Sequence, residues 1–215
     1  MVFRLMKDDT ILILDLRIGN LGSIQNRIKK SGANSIISDR IDDIKSAKKI
    51  IIAGVGFFDN AVNKIEELGI REILINKAQI EKVPFFGICL GMQLLTQSSD
   101  EGQLKGLSLI DAKTHSFEKE FELKSINLRI PHMGWNYTTK INESIYTKNI
   151  ENNFKFYFVH SYFVRCNNEE NISIKAKYGI EFDAAITKDN IFGTQFHPEK
   201  SHKFGKVLFK NFIEL

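Results

Sequence analysis

Cysteine and proline are scarce in this chain, with two of the first and three of the second among 215 residues. Two cysteines cannot build a disulfide framework, and they suit a reducing compartment. Few prolines, no glycine- or serine-rich stretch and no internal repeat leave no room for a linker. Residues 1–215 are therefore expected to form a single domain, longer than the common ~150 residues but ordinary for an α/β fold. No apolar run approaches the length of a membrane span. Met1 to Asp9 lacks the long hydrophobic stretch and small-residue cleavage site of a secretory signal, so a soluble cytoplasmic protein with no membrane partner is expected. Charge of one sign is also missing. The net charge is +4, and lysines and arginines alternate with acids, as in Arg40-Ile41-Asp42-Asp43-Ile44-Lys45. Such mixing reads as a solvated face rather than the one-sided basic patch of a nucleic-acid binder.

What is present is an alternation of strand and helix signals. Thr10 to Asp15 is a continuous apolar run, as expected of a strand buried on both faces of a parallel sheet. Leu21, Ile24, Gln25 and Ile28 follow at helical spacing up to Ser31-Gly32. Asn34 to Ser38 and Lys49 to Ala53 read as further strands, Ala61, Ile65 and Leu68 as a helix, and Val83 to Ile88 as a fourth strand. This pattern predicts an open, mostly parallel twisted sheet flanked by helices. Beyond Leu107 the runs are shorter. Phe121-Glu122-Leu123, Asn127 to Ile130, Phe156 to Val159, Ile172 to Ala176, Phe182 to Ile186 and Ile191 to Gln195 suggest an added antiparallel strand region. Trp135 falls in a polar-flanked loop, and Phe204, Val207, Leu208 and Phe212 mark a final amphipathic helix.

Chemistry concentrates at Gly87-Ile88-Cys89-Leu90-Gly91, placed directly after the fourth strand. A cysteine flanked by glycines between a strand and a helix reads as a nucleophile elbow, and the free N–H groups of a helix starting at Leu90 favour the thiolate. A thiolate needs a proton shuttle. His197-Pro198-Glu199 supplies an imidazole with a carboxylate two residues on, giving a Cys89, His197, Glu199 triad of nucleophile, base and orienting acid. Gly54-Val55-Gly56 ends the strand expected beside Cys89. Backbone N–H groups of Leu90 and of Val55 or Gly56 are candidate oxyanion donors. Cys166 has no glycine or histidine beside it and reads as structural. No close Cys-Cys or His-His spacing supports a metal site, and no cofactor is expected.

Together, Gly87-Ile88-Cys89-Leu90-Gly91-Met92-Gln93 and His197-Pro198-Glu199 resemble the triad (class I) glutamine amidotransferases. Within them, the chain is similar to the glutaminase subunits of imidazole glycerol phosphate synthases through Asp15, Gly19-Asn20-Leu21, Gly54-Val55-Gly56, Pro131 to Asn136, Tyr157 to Tyr162 and Glu199-Lys200-Ser201. The resemblance runs from about Ile11 to Phe212. It implies hydrolysis of the glutamine side-chain amide at Cys89, with the ammonia passed to a (β/α)8-barrel cyclase in a heterodimer. That partner makes imidazole glycerol phosphate and an aminoimidazole ribonucleotide for histidine and purine synthesis. The resemblance further implies that Gly56, Gln93, Ser161 and Tyr162 contact glutamine. It assigns Asn20, Trp135, Tyr157 and Lys200 to the partner surface. His132 and His160 read as loop-ordering rather than catalytic residues.

The chain departs from the family pattern at Arg17, where glycine is usual, and at Ala53, where proline is usual. The first is expected to alter the partner-facing loop and the second to loosen the oxyanion strand. Phe58-Asp59-Asn60-Ala61 and Ser201 to Gly205 also resemble a paralogous branch that supplies ammonia for amidation of surface sugars. A cysteine hydrolase on a similar elbow and a non-catalytic scaffold for a barrel partner are the readings from other classes.

Overall fold

The computed structural model describes residues 10–215; the reading of Met1 to Asp9 as lacking a secretory signal lies outside the described residues. The first half follows the expected alternation, with a second helix, α4, that the sequence reading did not include: β1 (Ile11–Leu14), α1 (Leu21–Lys30), β2 (Ser35–Ser38), α2 (Ile41–Ser46), β3 (Ile50–Gly54), α3 (Phe58–Glu67), α4 (Arg71–Gln79), β4 (Phe85–Cys89) and α5 (Leu90–Leu94). The short helix α2 forms within the charged stretch read as surface, and Ile44 is its one buried residue. The second half comprises β5 (Ala112–Ser116), α6 (Phe117–Leu123), β6 (His132–Lys140), β7 (Lys155–His160), β8 (Tyr162–Cys166), β9 (Ile172–Tyr178), β10 (Ile180–Lys188), β11 (Ile191–Thr194) and α7 (His202–Ile213).

Among the described residues, the strands form one sheet in the order β2-β1-β3-β4-β11-β10-β9-β6-β7, with β8 pairing both β10 and β5. β2, β1, β3, β4 and β11 run parallel, and pairing turns antiparallel from β10 onward. The expected architecture is thus present: a parallel, helix-flanked sheet with an antiparallel extension. Alternate residues of the parallel strands feed opposite cores. Ile11, Ile13, Ile51 and Phe86 pack with Leu21, Ile24 and Ile28 of α1 and Leu208, Phe209 and Phe212 of α7. Leu12, Leu14, Ile50, Ile52 and Phe85 pack with Ile44, Phe58, Ile65 and Leu74 of α2, α3 and α4. Full burial on both faces is why these strands read as unbroken apolar runs.

Three expectations fail in the antiparallel half. Phe121-Glu122-Leu123 belongs to helix α6. Its Phe117 and Phe121 are four residues apart and their rings lie 5.3 Å apart, while the Ser116 side chain caps the helix by accepting from the Lys119 N–H; this spacing overrides the three-residue alternation. Asn127 to Ile130 forms no strand and leaves Leu128 exposed. Trp135 lies in a strand, not a loop. It is in the middle of β6, opposite Tyr157 of β7, and its neighbours read as polar because that face of β6 is not buried in the core.

Candidate active site

The elbow forms because the local sequence tolerates a conformation that most sequences would not. Cys89 sits at φ 55, ψ −111, a left-handed backbone that costs of order 1–3 kcal/mol for a residue bearing a Cβ. Two close approaches hold it. A Cβ on Gly91 would overlap the Ile52 carbonyl of β3, and one on Gly87 would stand 2.7 Å from the Gly91 carbonyl oxygen. Only glycine lets α5 start so tightly against the sheet. β3 runs parallel to β4 with Gly54 opposite Cys89, so Val55 and Gly56 begin the loop next to the nucleophile.

His197 reaches the same edge from the other side. β11 pairs with β4, and the chain leaves it through Gln195 and Phe196. Phe196 is fully buried and stacks on Phe156 at 3.9 Å between ring centres. The next backbone N–H, of His197, donates to the Tyr157 carbonyl at 2.9 Å, and Pro198–Lys200 forms a single 3-10 turn. This turn brings the Glu199 carboxylate back onto its neighbour: His197 Nδ1 and Glu199 Oε1 are 2.8 Å apart, with both side chains 4% exposed. His197 Nε2 is buried without a nitrogen or oxygen partner among the described residues. Burial alone would lower the imidazole pKa. The Cys89 sulfur, through charge and hydrogen bonding, and the Glu199 carboxylate overcome it and push the value up to about 10. The structure therefore brings Cys89, His197 and Glu199 together, with Nδ1 committed to the carboxylate and Nε2 left for the sulfur.

Gln93 lies one turn into the elbow. It is 4% exposed, and its Nε2 donates to Gln195 Oε1 at 3.2 Å and to the Tyr162 carbonyl at 3.5 Å. Ser161 and Tyr162 form the joint between β7 and β8, where the Ser161 carbonyl accepts from the Phe117 N–H. The Val159 carbonyl oxygen just before this joint lies 4.0 Å from Cys89 Sγ, so the joint sits over the nucleophile. Val55 is half exposed, and its nitrogen lies against Gly19 of the loop after β1. A cavity of about 80 Å³ between these loops is lined by Gly19, Asn20, Gly54, Val55, His197, Glu199 and Lys200, among others, so that His197 and Glu199 share it with Asn20 and Lys200, two of the residues expected at a partner surface. On that surface Asn20 caps α1, Trp135 is 45% exposed and stacks on His202 at 5.5 Å, and Lys200 lies over the Tyr157 ring. Along the same strand, Met133 and Tyr137 are also exposed.

Three residues received no role in the sequence reading. Gln195 is fully buried and its Nε2 donates to Cys89 Sγ at 3.7 Å; as an alternating residue at a strand end it gives no signal. Ser201 Oγ accepts from the Tyr157 N–H at 3.0 Å and donates to the His197 carbonyl at 2.6 Å, tying β7 to the turn that carries the base. Glu101 Oε2 accepts from the Phe58 N–H at 2.8 Å, and its carboxyl pKa is raised by burial and by nearby Asp59. The Tyr162 hydroxyl pKa is in turn raised by burial and by Glu101. Asp59, part of the motif that resembles the sugar-amidating branch, accepts from the Gln103 and Leu104 N–H groups and so anchors the Glu101 loop.

A nucleophile elbow on a parallel sheet, facing a buried imidazole and carboxylate, is the frame of an amide-cleaving hydrolase. The chain belongs to the class I glutamine amidotransferase family, whose sequence model matches residues 12–215. It is 49% identical over 204 residues to the imidazole glycerol phosphate synthase subunit HisH 2 of Methanococcus maripaludis, covering 95% of this chain and 98% of that protein. It is 41% identical to HisH 2 of Pseudomonas aeruginosa, with coverage of 95% and 99%. Its fold matches a crystal structure of a glutamine amidotransferase at TM-score 0.73 and 16% identity, covering 95% of this chain and 97% of that one. A glutamine amidotransferase from Thermotoga maritima matches at TM-score 0.62 and 14% identity, covering 88% and 76%.

Proposed function

We propose that this chain hydrolyses glutamine to glutamate and ammonia as the glutaminase subunit of an imidazole glycerol phosphate synthase. The observation that carries the mechanism is the buried His197–Glu199 pair at 2.8 Å beside a strained Cys89. The Cys89 thiolate attacks the side-chain amide carbon of glutamine, and His197 delivers a proton from Nε2 to the departing nitrogen, which leaves as ammonia. Water, deprotonated by His197, then cleaves the γ-glutamyl thioester to glutamate and frees the thiol. Glu199 holds the ring in the tautomer this exchange requires. The N–H groups of Leu90 and of Val55 or Gly56 receive the negative oxygen of each tetrahedral intermediate, each donor lowering the barrier by about 3 kcal/mol. Gly56, Gln93, Ser161 and Tyr162 border the glutamine. Glu101, near Tyr162, is a carboxylate suited to the substrate's α-ammonium.

Ammonia in neutral water is mostly ammonium, which is not nucleophilic, so a sealed route to an acceptor site is chemically necessary. The cavity beside His197 and Glu199 is also lined by Asn20 and Lys200, and Lys200 lies over the Tyr157 ring, which in turn meets Trp135. A (β/α)8-barrel cyclase docked there, forming a heterodimer, would receive the product in histidine synthesis within the cytoplasm. The extent and identity of the HisH relatives favour this pathway over sugar amidation. The deciding experiment measures ammonia release from glutamine by the purified chain alone and with the cyclase subunit from the same cell plus its ribonucleotide ligand. Strong stimulation is expected. Activity indifferent to the cyclase would move the protein to the sugar-amidating branch, and turnover by Cys89→Ala would reject the mechanism.

A further inference from the structure

Two buried histidines that the mechanism does not use lie behind the glutamine site. His132 Nδ1 and His160 Nε2 are 2.9 Å apart, and His160 Nδ1 is 2.7 Å from the Tyr162 carbonyl oxygen. A carbonyl can only accept, so His160 Nδ1 carries the hydrogen and its Nε2 must accept from His132 Nδ1. His132 Nε2 is then left as an acceptor, and Asn136 Nδ2 stands 3.2 Å from it, also donating to the Lys177 carbonyl. Every proton in the row is fixed by the carbonyls at its two ends. Burial keeps both rings neutral, with His132 pushed down to about 4 and His160, aided by the charge of His132, to about 3.

The inner end of the row meets the elbow. The Tyr162 carbonyl that His160 holds also accepts from Gln93 Nε2, whose other hydrogen goes to Gln195 Oε1. Both amide hydrogens of Gln93 are thereby spent on protein acceptors. Its Oε1 accepts nothing from the described residues.

We propose that His132, His160 and Gln195 are positioning residues for glutamine: they lock the Gln93 amide so that its Oε1 faces the substrate as a fixed hydrogen-bond acceptor for an N–H group. The inference rests on the glutaminase reading and adds a means of substrate orientation that runs from Asn136 on β6, next to exposed Trp135, to the helix that follows Cys89. A free glutamine side chain at position 93 can present either end of its amide; a locked one presents only the oxygen, and the site binds a donor without first ordering its own partner. The histidines suit this role because they sit among Phe117, Phe158, Phe182 and Tyr178, where water does not compete for their hydrogen bonds.

The test uses alkylation of Cys89 by 6-diazo-5-oxo-L-norleucine, which must occupy the glutamine pocket, against iodoacetamide, which need not. The double variant His132→Phe/His160→Phe replaces the pair by rings that match their aromatic surroundings. It is expected to raise the half-saturating concentration of the diazo compound about tenfold, the effect of about one hydrogen bond, with the iodoacetamide rate within about twofold of wild type. Gln195→Leu should produce a similar rise in the half-saturating concentration, and Gln195→Glu, which keeps an acceptor for Gln93, should restore most of the affinity; both variants lose the donor to Cys89 Sγ, so the pair is compared by half-saturation and not by labelling rate, and it decides the matter even where the double variant does not fold. Unchanged saturation in a folded double variant, equal half-saturating concentrations for Leu and Glu at position 195, or an iodoacetamide rate of the double variant that falls in step with its diazo labelling would each overturn the proposal. Wild-type Cys89 that reacts with iodoacetamide but is ignored by the diazo compound would instead overturn the glutaminase reading on which it rests.

Discussion

The α-carbon of Gly91 packs directly against the carbonyl of Ile52, so that the helix behind the nucleophile and the strand beside it share one contact with no room for a side chain. Gly91→Ala must push α5 off β3, and overpacking in so buried a place costs about 3 kcal/mol. A lowered thermal midpoint together with slower alkylation of Cys89 is expected. A variant of wild-type stability would show that the elbow does not depend on this contact.

The His197 imidazole is held above its ordinary value of 6.5, at about 10, so its protonation favours the folded state. A raised folded pKa contributes stability that is fully present below pH 6.5 and is lost as pH rises through about 10. Urea midpoints measured from pH 6 to pH 10 should fall across this window in the wild type. Glu199→Gln removes one of the charges that raise the value, and the slope should flatten. The same variant should lower glutamine turnover by about three to four orders of magnitude, since the imidazole loses its orienting carboxylate.

Ser201 joins the Tyr157 N–H to the His197 carbonyl while fully buried. Ser201→Ala leaves a buried donor unpaired and should destabilise the fold by about 1–3 kcal/mol. Because the hydroxyl also sets where the His197 turn lies, kcat should drop by more than the loss of folded protein explains. A kcat equal to wild type per folded molecule would limit Ser201 to a structural role.

Arg17, standing where the family usually has glycine, has φ 59. Its backbone N–H donates to Asp15 and its guanidinium pairs with Asp39 at 3.1 Å, but the side chain is 68% exposed. Such a pair contributes up to about 1 kcal/mol, comparable to the cost of a left-handed arginine. Arg17→Gly should therefore shift the denaturant midpoint by no more than the equivalent of about 1 kcal/mol in either direction. A larger loss would assign the loop's geometry to the Asp39 contact. At the other departure, Ala53, β3 pairs with β4 as far as Gly54 opposite Cys89.

Legibility followed the range of the forces. Strands β1, β3 and β4 are buried on both faces, and their apolar runs alone announce a parallel sheet; the elbow is equally plain, because a cysteine between Gly87 and Gly91 directly after a strand is written in contiguous residues, although the contact that requires Gly91, with Ile52 of β3, is not. The antiparallel half was harder. Trp135 reads as a loop residue because β6 pairs with strands distant in sequence, and α6 hides behind a short alternation until Phe117 and Phe121 are seen to share a face.

By itself the sequence determined strands β1 to β4, helices α1, α3 and α5, and the residues of the candidate elbow and of the His197-Pro198-Glu199 pair, since each is written in contiguous residues whose spacing has one favoured geometry. Only the tertiary structure decided that Gln195 and the Val159 carbonyl flank the sulfur, that Ser201 fixes the base, and that His132 and His160 form a row of set polarity ending at Tyr162. Those contacts join residues from separate strands, and a buried polar group's partner is chosen by which backbone carbonyls and amides the completed sheet leaves within reach.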